Sequence, residues 1–372
     1  MKLRDDYIAV MSSQNDWIDT IKDSENTSLW CKGIDASTLG IISVDEYDAM
    51  QVKERSAELS IDEAVLYDTC TGFEASRLCV TGGVTGAIRS CAIPSLLNTA
   101  KINGTALGKL SKKNLAAVLS MCLEVAKKNK TLVLIRDGKV NAFLTDVYDR
   151  MPQLELIEMF QKELINKFGS IKFISGFHSH ALTGCDYELT TAQERIMKQY
   201  SLDDEYMPIV RFKTSDTGFC AATVLPVLRS KNGSNICLGK GIKIDHKRTG
   251  DVSAMQKFGE QLPQIYAKFI EFEEVFQRMT NVEINNPFNA ALGMCKKCGL
   301  PTKYMNDALE EIKMFAGDDS MSMADLYFFL AESSGTAQRK YNLRGTQLFD
   351  LEENISKILY LNWKEYDVVG TV

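Results

Sequence analysis

The sequence has no apolar run of the roughly 18 residues that a membrane-spanning helix needs, and its start, Met1-Lys2-Leu3-Arg4-Asp5-Asp6, leads into polar sequence. Neither a transmembrane span nor a secretory signal is therefore expected. Histidine is scarce, three in 372 residues, which leaves little room for histidine-based catalysis. A bulk excess of positive charge is also missing, since 43 Lys and Arg stand against 49 Asp and Glu for a net of −6. Any nucleic-acid site must then be a local patch. Repeats, low-complexity tracts and long linkers are absent. What remains, 45% hydrophobic and 25% charged residues, is a globular composition that excludes a disordered or fibrous chain. The length predicts two or three domains. Ten cysteines lie scattered in apolar segments and read as reduced, buried thiols of a cytosolic protein.

Charge is unevenly spread. Residues 1–70 carry 6 basic and 15 acidic side chains, and 300–372 carry 7 and 12. Between these acidic ends lie two basic blocks, 101–140 with 9 basic and 2 acidic residues and 207–249 with 8 and 2. A shared anionic partner would account for both blocks, and ordinary variation of surface charge would do so equally well.

Residues 37–90 mix short apolar runs with turn residues such as Thr81-Gly82-Gly83-Val84-Thr85-Gly86, and read as short strands. The spacing of Leu115, Val118, Leu119, Cys122 and Val125 predicts a helix over 111–129, capped by Ser111. Asp137-Gly138 between two β-rich runs predicts a tight hairpin, because a type I′ turn needs positive φ at both central residues. A helix follows at about 152–168, opened by Pro152. Strands are expected at 171–180, 207–215, 219–228 and 234–244. The period then changes. Met255, Phe258, Leu262, Ile265, Tyr266, Phe269, Phe272, Val275, Phe276 and Met279 form a helical stripe, with a kink expected at Pro263. The last part, 288–366, reads as helices broken near Gly299-Leu300-Pro301 and Gly317. The expected fold is α+β: a central antiparallel sheet with a β-β-β-α core, backed by the long helix and followed by a helical C-terminal part. Its expected divisions are an acidic mixed region at 1–90, a core at 91–285 and a helical region at 286–372.

Several motifs together carry a resemblance. Arg136-Asp137-Gly138-Lys139-Val140-Asn141-Ala142-Phe143-Leu144-Thr145-Asp146-Val147-Tyr148 resembles the segment "R-x-G-x-v-r-A-x-L-S-D-r-Y" of a phage/plasmid-like family of uncharacterised proteins. Ser215-Asp216-Thr217-Gly218 with Asn232-Gly233 resembles that family's pair of turns, and Asp245-His246-Lys247-Arg248-Thr249-Gly250 its basic stretch before the long helix. The resemblance covers about 90–330. The family's Cys before the Asn-Gly turn is replaced here by Arg229-Ser230-Lys231. The resemblance implies a mobile-element protein and brings no activity with it.

Alternation along 207–215 puts Arg211, Lys213 and Ser215 on one face of the sheet and Val210 and Phe212 on the other. Lys243 joins the polar face, with Arg229, Lys231, Lys240, Lys247 and Arg248 at its rims. Such a face suits a binder that follows the phosphates of a single strand. The β-β-β-α core also resembles, at fold level, the Rad52/Red-beta type of single-strand annealing proteins, and fold alone does not carry function. The expected site is Arg211, Lys213, Lys240, Lys243, His246, Lys247 and Arg248 on phosphate, with Phe219 stacking a base. The expected partners are single-stranded DNA or RNA, in replication or recombination, together with further copies of the chain. Neither a catalytic constellation nor a cofactor is expected.

Other arrangements compete. His178 and His180, with Cys185 and Asp186 nearby, and Cys295-Lys296-Lys297-Cys298 are two half-sites for zinc, against the plainer reading of unmetallated core or surface residues. Asp146 and Asp149 with His178 would serve a metal-dependent nuclease, although aspartates there also suit turns and caps. Gly104 to Ser111 imitates a phosphate loop at the wrong spacing. An acidic N-terminal 70 residues that mimics nucleic acid and captures a host protein, as an anti-defence factor does, is the remaining alternative.

Overall fold

A computed structural model describes residues 4–72, 77–126, 130–192, 196, 206–316 and 319–370. The chain opens with β1 (Ile8–Met11) and α1 (Gln14–Asn26), where the Ser13 side chain caps the helix by accepting from the Asp16 N–H. Next come β2 (Ser28–Asp35), β3 (Gly40–Ser43), α2 (Val52–Leu59), α3 (Glu63–Gly72), β4 (Leu78–Thr81), β5 (Gly86–Ala87), α4 (Ile93–Thr99) and α5 (Lys112–Val125). Ser111 caps α5 through the Asn114 N–H, and Leu115, Leu119 and Leu123 form its buried stripe, as their spacing predicts.

The middle holds β6 (Lys130–Arg136), β7 (Lys139–Thr145), α6 (Gln153–Phe168), β8 (Lys172–Ser179), β9 (Thr183–Glu188), β10 (Tyr206–Thr214), β11 (Ala222–Ser230), β12 (Asn235–Cys237) and β13 (Ile242–Ile244). Then follow α7 (Ala254–Gln261), α8 (Ile265–Thr280), α9 (Pro287–Lys297), α10 (Thr302–Ala316), α11 (Met323–Tyr341) and α12 (Thr346–Ser356). The fold is α+β, with antiparallel pairing throughout the main sheet. Its strand order is β1-β8-β9-β10-β11-β12, with β13 also on β11. Among the described residues three smaller sheets stand apart from it: β2-β6-β7, β3-β4-β5 and a two-stranded one that pairs Glu283–Ile284 with Met321–Ser322. Among the described residues no helix is long and apolar enough to cross a membrane.

The β6–β7 turn places Asp137 at φ 52° and Gly138 at φ 73°, the paired positive values that the Asp-Gly signal predicts. A β-carbon at Gly138 meets no atom within 4 Å, so Gly138→Ala tests backbone strain alone. The expected loss is about 1 kcal/mol, read as a lower denaturation midpoint. An unchanged midpoint would contradict the turn assignment.

Alternation in β10 sends Val210 and Phe212 to one face, where they pack with Phe160 of α6 and Phe258 of α7. Burying an apolar side chain of this size contributes about 1.5–3 kcal/mol. The helical stripe expected over 255–279 is split between α7 and α8 by a short 3-10 segment, Leu262–Gln264, at the predicted Pro263 kink. The opposite face of the sheet is covered by α12, whose Phe349 meets Phe177 edge-on at 5.0 Å.

Some contacts run across the expected boundaries at 90 and 285. β1 pairs with β8, β2 pairs with β6, and residues of α11 and α12 belong to the same apolar core as the main sheet. The strand expected over 234–244 is two strands, interrupted at Gly239-Lys240-Gly241. A β-carbon on Gly241 would lie 2.0 Å from the Val224 carbonyl oxygen, so the backbone passes too closely there for any side chain. β9 was not anticipated, because Thr183–Glu188 carries no clean alternation and is buried on both faces. The break expected at Gly317 lies outside the described residues.

Candidate functional site

A cleft of about 650 Å³ lies between the β6–β7 hairpin with α4 on one side and the β10–β11 turn with β13 on the other. Four lysines line it: Lys101 and Lys130 from the first basic block, and Lys243 and Lys247 from the second. Asp146 and Asp245 oppose them. Lys130 also reaches Asp35 at 3.4 Å, a largely exposed pair that a stronger anion can displace at little cost. Phe219 stands on the wall with 53% of its surface exposed. The cleft therefore joins two basic segments more than a hundred residues apart in the chain.

Local chemistry explains why these groups meet. At the end of β10 the Ser215 hydroxyl accepts from the Thr217 and Phe219 N–H groups, closing the turn that presents Phe219. Gly218 completes that turn at φ 72°. Behind it, Arg136 and Asp216 form a buried ion pair at 2.9 Å that ties the hairpin to the turn. The Tyr148 hydroxyl donates to the Ser215 carbonyl at 3.1 Å. Burial pushes that phenol well above its ordinary range, so it stays protonated as the donor. The Asp149 N–H donates to the His246 carbonyl at 3.0 Å, which brings the segment after β13 against the end of the hairpin. Three sequence stretches singled out by the resemblance thus converge on one wall.

That wall is aromatic. Tyr148 lies nearly parallel to His246, with ring centroids 4.9 Å apart and planes 6° apart. Trp30, outside the cleft lining, also stacks on Tyr148 at 6.3 Å. His246 is 6% exposed, so it is not a surface phosphate contact as expected. Burial lowers its pKa, which favours the neutral ring, while Asp216 and the Asp149 backbone pull the other way.

Of the residues expected on phosphate, Lys243 and Lys247 line the cleft and Phe219 stands beside them. Arg211 and Lys213 do not. They share a face with Lys243, as the alternation predicts, for Thr223 of β11 is paired with Lys213 on one side and Lys243 on the other. However, α12 lies over that face. Arg211 is wholly buried, held by Asp186 at 2.8 Å and by Glu352, and stacked 3.5 Å from the Phe349 ring. Lys213 is buried against Glu353. Neither is available to a nucleic acid. Lys240 sits outside the cleft lining, its ammonium 4.5 Å over the Tyr360 ring. Arg248 makes an exposed pair with Asp149 at 3.2 Å, also outside the lining.

The metal arrangements do not assemble. Both nitrogens of His178 meet hydroxyls, Thr183 Oγ1 at 2.6 Å and Ser24 Oγ at 3.1 Å. His180 lies past the end of β8, bonds the Arg4 carbonyl through Nε2, and is lowered to about 4 by burial and by Arg89. Cys185 faces the apolar core, and Asp186 is committed to Arg211. Burial pushes Cys295 up to about 12 and raises Cys298. Asp149 accepts from the Ala254 N–H at the start of α7, a helix 105 residues further along the chain and not the one that follows it, while Asp146 stays in the cleft. Among the described residues no group of three or more His, Cys, Asp or Glu is placed to hold a metal ion. The two cysteines lining the cleft, Cys91 and Cys220, are both raised to about 12 by burial and supply no thiolate at neutral pH.

Lys101 and Lys130 were missed as individual site residues. Their signal was the charge of block 101–140, which does not say which of its nine basic side chains face the second block. Searches for a matching family model, curated protein or solved structure found no match to this chain.

Proposed function

We propose that the chain binds single-stranded nucleic acid in this cleft, as a non-catalytic protein of mobile-element replication or recombination, and that annealing of strands is the activity it serves. The observation that carries the reading is the meeting of Lys101, Lys130, Lys243 and Lys247 around one concavity that also presents Phe219. A single strand exposes both phosphates and base faces, and this wall offers ammonium groups for the first and an aromatic ring for the second. A duplex hides its base faces and leaves Phe219 without a partner. One cleft with four lysines grips few phosphates, so stable binding calls for several copies side by side on one strand.

The test is fluorescence anisotropy with a labelled single-stranded oligonucleotide across a salt series. Four neutralised phosphates give a slope of about −3 in log K against log salt, or about a 50-fold loss between 50 and 200 mM. Light scattering in the same series should show a larger particle with the oligonucleotide at low salt. Affinity that is flat across salt would remove the proposal.

A further inference from the structure

Alternation along β11 puts Arg229 on the face of the main sheet that α12 covers, since it follows Leu225 and Val227, and Leu225 is the register partner of Arg211. Asn235, opposite Arg229 on β12, reaches Glu352 of α12 at 3.2 Å on that same face. The two arginines are treated differently there. Arg211 is neutralised by Asp186 and Glu352, whereas the half-buried Arg229 forms no ion pair among the described residues. Arg229 lines a second cavity, of about 220 Å³, to which the segment between α11 and α12 contributes Arg344. Arg344 is exposed and commits only its Nε, to Asn342 Oδ1 at 2.9 Å, so both terminal nitrogens are left for a ligand. Gly345 begins α12 without a capping side chain, and no acidic residue stands in the first turn, so the positive end of that helix adds to the two guanidinium groups. Phe177, Leu348 and Phe349 form an apolar wall beside these charges.

Paired cations next to an apolar wall suit a ligand with an anionic head and a flat apolar body. Size limits the body. The cavity is smaller than the roughly 300–1,000 Å³ of sites for drug-sized ligands, so one ring with a short arm fills it. Charge limits the head. Arg211, Arg229 and Arg344 stand against Asp186 and Glu352, which leaves one positive charge unmatched. A carboxylate matches it. A phosphate monoester, closer to two charges at neutral pH, exceeds it. We propose that this cavity binds a small aromatic carboxylate, its head held by Arg229 and Arg344 and its ring against Phe177, Leu348 and Phe349. The cavity shares no lining residue with the lysine cleft and does not rest on the single-strand reading.

Isothermal titration calorimetry of the full chain with phenylacetate is the test, with phenylacetamide as its neutral isostere. Phenylacetate is expected to bind at millimolar concentration and about 10-fold more tightly than phenylacetamide, the effect of losing charge-assisted hydrogen bonds. Arg344→Gln, an exposed change, and Arg229→Gln are each expected to weaken phenylacetate about 10-fold and to leave phenylacetamide unchanged. Lys243→Gln, in the other cleft, is expected to change neither. No binding of phenylacetate at millimolar concentration overturns the proposal, and so does phenylacetamide that binds equally well. A loss in folded Arg229→Gln, checked by thermal melting, that Arg344→Gln does not reproduce overturns the two-arginine cradle. Loss of phenylacetate binding in Lys243→Gln would place the ligand in the lysine cleft instead. Inorganic phosphate that binds as tightly as phenylacetate would make this a plain anion site and overturn the aromatic part. The tripeptide Gly-Gly-Phe carries the same ring and carboxylate on a chain, and binding about 10-fold tighter than phenylacetate would assign the cavity to a peptide end and overturn the small-acid reading.

Discussion

Reversing Lys243 and Lys247 together to Glu is expected to lower affinity for a single-stranded oligonucleotide about 100-fold at 50 mM salt. In the counterion-release picture each lysine that neutralises a phosphate of a single strand contributes a slope of about −0.7, so losing two halves the expected −3 and removes roughly one order of magnitude each at low salt. Reversal adds repulsion to that loss. Both side chains are exposed and neither forms a salt bridge among the described residues, so the fold should not be affected. Thermal melting of the variant should match the wild type within about 0.5 kcal/mol. A Lys240→Glu variant is the control, because that ammonium sits on Tyr360 outside the cleft lining and should change affinity little. If Lys240→Glu weakens binding as much as the cleft pair does, the surface has been misassigned. Lys101→Glu with Lys130→Glu should reproduce the loss from the other wall. That result is the direct test of whether the two basic blocks act on one ligand.

Local signals in the sequence were reliable where the physics is local. The Asp137-Gly138 hairpin, the Ser111 cap and the break at Pro263 each depend on a few neighbouring residues, and each appears as expected. The alternation in β10 correctly put Arg211 and Lys213 on the face shared with Lys243. It failed on which part of that face is open. The covering helix α12 brings Glu352 to Arg211 from 141 residues downstream, and nothing near Arg211 in the chain announces it. A pattern of basic residues on one strand face fits a solvated patch and a buried ion-pair network equally well. Only the packing partner distinguishes them. The cleft shows the reverse case. Lys130 and Lys243 could be read as basic from their own blocks, but their meeting depends on the buried Arg136–Asp216 pair and on the backbone contact between Asp149 and His246. His246 is the subtlest. Its basic neighbours suggested a phosphate contact, while the stack on Tyr148 buries it in the wall.

Replacing Arg211 with Met is expected to destabilise the protein by about 3–5 kcal/mol while leaving the affinity of the folded fraction for an oligonucleotide unchanged. The guanidinium is the common partner of Asp186 and Glu352, and all three are buried. Removing one member of such a network leaves charge without compensation in a low-dielectric interior, and that is the source of the large loss. The effect should depend on pH. Burial pushes Glu352 up to about 7 even with Arg211 pulling it down, whereas an unfolded Glu titrates near its ordinary value of about 4.5. A carboxyl raised in the folded state contributes stability that is fully present below the unfolded value and is lost as pH rises through the folded one. Without Arg211 the folded value rises further, so the loss extends to higher pH. The stability gap between variant and wild type should therefore widen from pH 5 through pH 7 to 8, on top of the part due to Asp186. Adding Glu352→Gln removes one of the two orphaned charges and should recover part of the loss at pH 8 but little at pH 5. Denaturant titrations of the three proteins at both pH values decide the matter. A gap that is the same at pH 5 and pH 8 would mean that lost packing on Phe349 dominates over charge. Weaker oligonucleotide binding by folded Arg211→Met would mean that the buried network reaches the cleft, which its position under α12 does not suggest.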